Sequence, residues 1–401
     1  MLGAEWLMKQ NIHIIVAAAK WTGDRLKYRR HRLAEYLDRL PDTDGVIWVC
    51  PSPEGEDPEF TDLRNGISQW AISDLLPQKF FRFGRYLDLF YQKKTGLFAK
   101  QLEHMEGNFH FFLWYTCPIF PKLAEQFPWT RVIYDCSDLW AAPIGGGHSP
   151  LSVLRRKLIA RSEQRVINAA DTLFCTSDYL HDRVSERAAQ AKQSRIFTIE
   201  NGVSFSRFSE MRRATQVLPE HFQGTILGYI GGIKPKLDFA LIREAARRKP
   251  EWLFLFVGPD GTGPDSLFKK LREKKNVLWT GSVSPEEVPQ YTQLVTIGIM
   301  PYKPSVYNQA VFPLKLFEFL AAGKPAVGLH LPSTKKYDQA GVYRELEDGD
   351  TAAFIKVCEE MEQAAGMETF IRKRQELAGT KDWNALFARM DSLIQQDYWE
   401  H

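Results

Sequence analysis

Three stretches of the sequence place charged or permissive residues where an ordinary core would not hold them. In FPLKLFEFLAAGKPAV (Phe312–Val327), Lys315 and Glu318 stand three apart at the head of an otherwise apolar helical pattern. Residues at that spacing share a helix face. A lysine in the first turn opposes the positive end of the helix dipole unless an anion is held there. A plain surface pair is the structural alternative, but Leu314, Leu316, Phe317 and Phe319 leave it little polar face. In GYIGGIKPKLD (Gly228–Asp238), Gly231 and Gly232 follow an apolar run and precede Lys234 and Lys236. Glycines there can take positive φ and bring backbone N–H groups to an oxygen-rich ligand; a tight turn with solvated lysines is the alternative. The stretch lacks the G-x-G-x-x-G spacing of a dinucleotide fingerprint. In VIYDCSDLW (Val132–Trp140), Asp135 and Asp138 close an apolar run. A carboxylate so placed can take a proton from an attacking hydroxyl or cap the next segment. Asp135, deeper in the run, reads as structural.

Elements must position these groups. Apolar runs begin at Ile12, Gly45, Asn108, Arg131, Thr172 and Ile196, and again at Gly224, Trp252, Asn276, Thr296 and Pro325. Most are apolar throughout, as parallel strands buried on both faces are. Helical patterns lie between them, such as RRHRLAEYLDRL, LSVLRRKLIARSEQRVINAA and DFALIREAARRKP. Strand–helix alternation in both halves predicts an α/β protein with two doubly wound domains facing across a cleft. The polar stretch SRFSEMRRATQVLPEHFQG marks the boundary, giving a first domain over 1–205 and a second from 206. Ligands of such sheets bind beyond the strand carboxyl ends. Tyr302, at one such end, and Val283, whose backbone could meet a planar base, join the candidates. Ser284, Pro285 and the acids after them predict a helix start.

Composition narrows the function. Lysine and arginine total 52 against 49 acids, a net charge of +3, which excludes wholesale coating of nucleic acid. The five cysteines form no Cys-x-x-Cys pair, so neither a zinc nor a disulfide framework is expected, and a reducing cytoplasm fits. The first ten residues lack a signal-peptide layout. No apolar run reaches the roughly 20 residues of a spanning helix. A membrane surface stays open as a partner. In KFFRFGRYLDLFYQKKTGLFAK (Lys79–Lys100), Phe83 and Phe90 recur at helical spacing among Arg85, Lys93 and Lys94. Such a helix can lie in a membrane interface, or pack on its own sheet with the cations reaching outward. In KWTGDRLKYRRHR (Lys20–Arg32), Trp21, Asp24 and Arg25 follow the first strand, where an acceptor could sit. The basic run reads as a solvated helix face or as a hold for an anionic acceptor, and His31 as a surface histidine.

With these motifs in view, the chain resembles the GT-B glycosyltransferases of the large group that includes family 4. NGVSFSRF (Asn201–Phe208), GYIGGI, WTGSVS and FPLKLFEFLAAGKPAV carry the resemblance. It implies a nucleotide-diphosphate sugar, UDP-linked, as donor, held by Gly231, Gly232, Lys236, Val283, Tyr302, Phe312, Leu314, Lys315 and Glu318. Glu318 would meet the ribose hydroxyls, and Lys315 the diphosphate or sugar. The family's motif has a second glutamate eight positions earlier; here that position is Ala310, which puts the usual sugar contact and retaining mechanism in question. The first half is similar to a subset of bacterial transferases that includes teichuronic acid biosynthesis proteins and, more distantly, xanthan-type glucuronosyltransferases. That likeness implies Asp138 as catalytic base, a glycan or polyprenyl-linked acceptor, and cytoplasmic chemistry at the inner membrane face. It further implies that 383–401 return to the first domain as a helix. No metal or other cofactor is implied. A sugar-nucleotide epimerase of the same fold, or a nucleotide-sugar binder without catalysis, are the competing readings.

Overall fold

The computed structural model describes residues 10–23, 27–53, 60–64, 66–74, 82–105, 107–142, 150–210, 217–219, 222–263 and 266–399. The chain divides into two units. The first takes 1–143, 147–200 and 387–401, and the second takes 144–146 and 201–386.

The first unit is built on β1 (Gln10–Val16), β2 (Thr43–Ser52), β3 (Phe60–Arg64), β4 (Ile67–Ser73), β5 (Phe109–Tyr115), β6 (Arg131–Cys136), β7 (Thr172–Cys175) and β8 (Ile196–Thr198). They form one sheet in the order β3-β4-β2-β1-β5-β6-β7-β8, so the order reverses between β1 and β5. Pairing is parallel except where β3 folds back on β4. From Ile12 to Val16 the first strand is buried at every residue, which is why it reads as a continuous apolar run. β3 and β4 escape the sequence reading. β3 is a polar edge strand carrying Asp62 and Arg64, and ISQWAIS in β4 interrupts its apolar residues with Ser68 and Gln69.

The second unit holds β9 (Ile226–Ile230), β10 (Leu253–Val257), β11 (Val277–Trp279), β12 (Ile297–Pro301), β13 (Ala326–Leu329) and β14 (Tyr343–Leu346). All pairs are parallel, in the order β11-β10-β9-β12-β13-β14. Numbered within the unit this is 3-2-1-4-5-6, the doubly wound order, with its switch point between β9 and β12. Only β14 was not legible, because YREL is four residues long and half polar.

The boundary falls at Glu200/Asn201 rather than 205/206. Backbone bonds explain the shift: Val203 donates to the Lys381 carbonyl at 2.9 Å, and Trp383 donates to the Val203 carbonyl at 3.0 Å. These pairings fix 201–205 within the second unit. The last helix, Trp383–Trp399, joins the first unit from Phe387 onward.

One guanidinium organises the first unit. Arg29, on the helix Arg29–Leu37, bonds both Asp135 oxygens on β6 at 3.0 and 2.8 Å. It also donates to the Glu200 carbonyl at 2.8 Å and reaches the Met390 sulfur at 3.2 Å. Arg29 is 4% exposed and Asp135 1%. Asp135 is therefore structural, and Arg29 leaves the set of cations open to a ligand. His31 is not a surface residue. It is buried against Trp21 and Trp48 with ring centroids at 5.0 and 4.9 Å, and its Nδ1 accepts from the Tyr28 N–H at 3.2 Å. Glu163, on the helix Pro150–Ala169, is likewise spent inside, accepting from the Tyr134 hydroxyl at 2.8 Å and Arg187 at 2.5 Å.

The aromatic–basic stretch is not one helix. A 3-10 turn, Arg82–Tyr86, precedes a helix over Asp88–Glu103, with Leu87 extended between them. Arg85 is held by both oxygens of Asp74, and Lys94 donates to Ser73 at 2.6 Å (carbonyl) and 2.9 Å (hydroxyl). Those two cations face inward, contrary to the interfacial expectation. Phe90 is half-buried, Lys93 is exposed, and the side chain of Phe83 lies outside the described residues.

Two outcomes follow. Asp135→Ala leaves Arg29 buried without its carboxylate, which should cost about 3–5 kcal/mol in urea unfolding; a loss within error would remove the pair from the core of the fold. His13 on β1 is buried beside a cavity of about 20 Å³ lined in part by Asn11, Trp114 and Asp391. Burial pulls its pKa from 6.5 down to about 3. Between those values the unfolded chain binds a proton that the folded chain refuses, so stability falls as pH drops through 6.5 toward 3, by up to about 1.4 kcal/mol per pH unit. His13→Gln should flatten that acid limb in melts taken across pH. Parallel wild-type and variant profiles would show that His13 does not contribute.

Candidate functional site

Three segments of the second unit converge at its switch point. The first is the turn after β9. Gly231 holds φ 133°, and a Cβ there would lie 2.5 Å from Cε and 2.7 Å from Nζ of Lys315. The glycine is thus the space into which the lysine head fits. The second is the segment after β12. It is zipped to the first by backbone bonds: Asp238 donates to the Pro301 carbonyl at 2.7 Å, and Lys303 to the Lys236 carbonyl at 2.9 Å. The third is the helix Lys315–Ala321, which begins at Lys315 with Leu314 as its cap residue. Its seat on the sheet depends on Gly298 of β12, where a Cβ would come within 2.3 Å of the Phe319 ring.

These elements bring two lysines against three tyrosine rings. The Lys315 ammonium lies 5.0 Å from the Tyr229 ring centroid, and that of Lys236 lies 4.8 Å from Tyr302 and 5.5 Å from Tyr307. Among the described residues neither lysine forms an ion pair. Tyr302 is fully buried, and burial alone would push its phenol up. The charges of Lys236 and Lys315, with hydrogen bonds to Tyr229 and Lys236, outweigh that and draw it below the ordinary tyrosine value. The Tyr229 hydroxyl donates to the Gly232 carbonyl at 3.0 Å. A phenol made more acidic in a buried place reports a net positive field. Such a site suits an anion.

The remaining members of the expected set are distributed around it. Phe312 is buried, stacks on Phe317 with centroids at 5.6 Å, and offers its carbonyl to Asn201 at 2.7 Å. Glu318 is half-buried one turn into the helix behind Lys315. Ala310 is buried, ending the short helix Val306–Ala310. Val283 packs half-buried on the core beyond the outer strand β11. The helix expected directly after Ser284 starts at Val288 instead. The residues before it form a turn in which Glu287 reaches back to the Ser284 N–H at 3.0 Å and its hydroxyl at 2.8 Å. Tyr229, Tyr307 and Asn201 were not singled out from sequence. Tyr229 lies inside a quoted motif, but its role depends on a lysine 86 positions later.

In the first unit, Asp138 lies half-buried just past β6. No helix starts over 139–142, so it does not cap one; its carbonyl instead accepts from the Trp140 N–H at 3.0 Å. The Trp140 indole N–H is buried without a hydrogen-bond partner among the described residues. Trp21 is tied into the unit. Its backbone N–H donates to Gln69 at 2.9 Å and its ring meets Trp48 edge-on at 5.0 Å. Asp24 and Arg25 lie outside the described residues.

Residues 224–364 match the family model described as "Glycosyl transferases group 1". Over 381 residues the chain is 50% identical to the Bacillus subtilis (strain 168) protein described as "Putative teichuronic acid biosynthesis glycosyltransferase TuaH", covering 94% of this chain and 96% of that one. Among solved structures it is similar to sucrose-phosphate synthase from Thermosynechococcus elongatus, with a TM-score of 0.73, 14% identity, and 98% and 100% of the two chains covered. It is also similar to HepE from Anabaena, solved with UDP and glucose, with a TM-score of 0.65, 13% identity, and 96% and 99% covered. At those identities the structural likenesses speak to fold, which is GT-B.

The cationic geometry can be checked without any ligand. Lys315→Met should raise the Tyr302 pKa, read by NMR of ring-labelled tyrosine. Gly231→Ala should act in the same direction by displacing the lysine head. A Tyr302 titration that ignores both changes would separate the lysine from the phenol.

Proposed function

The chain belongs to the group 1 glycosyl transferases as a relative of TuaH and is a glycosyltransferase; we propose that its donor is a UDP-sugar and its acceptor a growing cell-envelope polysaccharide or its lipid-linked precursor. The paired lysines at the β9/β12 switch point carry this reading. A nucleoside diphosphate leaving a sugar must have its charge stabilised by groups already in place. Lys236 and Lys315 supply two fixed positive charges, and neither is neutralised by an acid among the described residues. That arrangement serves the leaving group without a metal. Glu318, half-buried on the lysine's own helix, is assigned the ribose hydroxyls. HepE was solved with UDP and glucose, and the name of TuaH refers to teichuronic acid; both support the direction of the assignment.

Transfer needs a base for the acceptor hydroxyl. Ala310 is buried and carries no carboxylate, so we assign the base to Asp138. Its position after β6 in a half-buried turn leaves the carboxylate at a strand carboxyl end, where open sheets do their chemistry. Acceptor contacts are assigned to Trp21, which follows β1 at the order reversal of that sheet, and, from the sequence alone, to Asp24 and Arg25.

A thermal-shift panel of nucleotide sugars, with hydrolysis measured on the same panel, tests the donor assignment. A bound ligand raises the melting point according to its free concentration relative to Kd. UDP and one UDP-sugar should stabilise, and that sugar should be released slowly to water. No shift with any nucleoside diphosphate would overturn the donor assignment, and binding without turnover would favour a non-catalytic binder. Glu318→Ala should weaken UDP binding at least tenfold, or about 1.4 kcal/mol. Asp138→Asn should cost on the order of 10²–10⁴ in kcat with donor affinity kept; undiminished turnover would remove Asp138 as base.

A further inference from the structure

Half of the exposed large apolar side chains among the described residues lie on two helices of the first unit. Single exposed leucines need no explanation, but these are ordered. On Asp88–Glu103, Leu89 (78% exposed) and Leu97 (49%) alternate with exposed Lys93 and Lys100 at steps of four, four and three residues. On Pro150–Ala169, Leu151 (68%) and Leu154 (51%) lead to exposed Lys157 and Arg161 at steps of three, three and four. Those spacings make one stripe on each helix. The opposite faces are buried through Tyr91, Phe98 and Leu102 on the first and Ile159 and Val166 on the second. The helices are fastened to each other's surroundings by Arg165, which pairs with Asp88 at the start of one and at 2.6 Å with Glu125 of the turn Pro121–Glu125.

Charge decides what such a surface fits. Lys93, Lys100, Lys157 and Arg161 form no ion pair among the described residues. The core of a protein–protein interface is depleted in lysine and presents a contiguous apolar patch. Isolated leucine tips set between unneutralised cations match the boundary of an anionic bilayer instead. We propose that these two stripes are the surface by which the protein lies on an anionic membrane. The leucines enter the headgroup boundary and the lysines and arginine meet lipid phosphates. No helix among the described residues is long and apolar enough to cross a bilayer. The set differs from the one read from sequence: Arg85 and Lys94 are occupied internally, Lys93 remains, and the helix Pro150–Ala169 is added. The proposal stands independently of the donor and base assignments.

Flotation of the full chain with vesicles tests it, using phosphatidylcholine alone and phosphatidylcholine mixed with phosphatidylglycerol. Wild type should float with the mixed vesicles, bind neutral ones weakly, and detach as salt rises. Each cation near an anionic surface is worth about a fivefold change in partitioning. Lys157→Glu with Arg161→Glu should therefore reduce binding about 30-fold or more. Leu151→Ser with Leu154→Ser should reduce it at every salt concentration. Lys269→Glu with Lys270→Glu, an equal charge change on an exposed helix of the second unit, should leave binding intact. Thermal melts establish that each variant is folded. Equal flotation of the stripe and control variants, or wild type that ignores phosphatidylglycerol, would overturn the proposal. So would stripe variants that lose self-association in sedimentation while still floating, because the face would then serve a second copy of the chain.

Discussion

The second unit is organised around two ammonium groups held over buried tyrosine rings. Lys315 needs the void at Gly231, which exists because glycine has no Cβ; the same lack lets Gly231 hold a φ of 133° that L side chains rarely adopt. Lys236 needs the turn that carries it to be zipped onto the segment after β12, which backbone bonds at Asp238 and Lys303 accomplish. Cations in such a setting keep part of their solvation through the ring faces. They still leave a positive field, which draws the buried Tyr302 phenol below its ordinary value. A site preorganised this way stabilises negative charge without rearranging when the charge develops.

A second buried cation serves a different end. Arg374 is fully buried and forms no ion pair among the described residues. It donates to the carbonyls of Gly323, Gly341, Ala364 and Ala365 at 2.7–2.9 Å. Burial pulls its pKa down to about 10. The Ala364 and Ala365 carbonyls end the helix Thr351–Ala365, whose last turn would otherwise leave acceptors unsatisfied; that of Gly323 lies just past the helix Lys315–Ala321, and that of Gly341 in the turn before β14. The helix bearing Lys315 and Glu318 is therefore fixed at its far end by one arginine, while Gly298 fixes its approach to the sheet. In the first unit Arg29 does comparable work through Asp135. Both examples show why counting basic residues along a sequence overstates the charge available to ligands.

Much of the fold was legible because parallel strands buried on both faces produce unbroken apolar runs, and eleven of the fourteen strands have them. The three that escaped are β3, β4 and β14, which are at or next to sheet edges and mix polar residues into short segments. The site was legible in part. Gly231, Lys236, Tyr302 and Lys315, singled out from motif chemistry, lie around the β9/β12 switch point. Tyr229 and Asn201 were not found, because each matters through a partner far away in sequence. In the basic run Arg29, and in the aromatic stretch Arg85, are already met by acids from other elements. Helical spacing shows that residues share a face, and does not show whether an acid from another element already meets them. Asp135 and Asp74 are those acids.

The sequence alone determined the α/β class and the existence of two doubly wound units. These follow from local patterning, which each segment expresses without reference to the rest. Tertiary structure decided which charges remain available. Arg29, Arg85 and Lys94 are satisfied by contacts 106, 11 and 21 residues away, while Lys236 and Lys315 form no ion pair among the described residues. A charge is functional only if the fold leaves it unneutralised, and that depends on pairings between distant segments that no local pattern encodes.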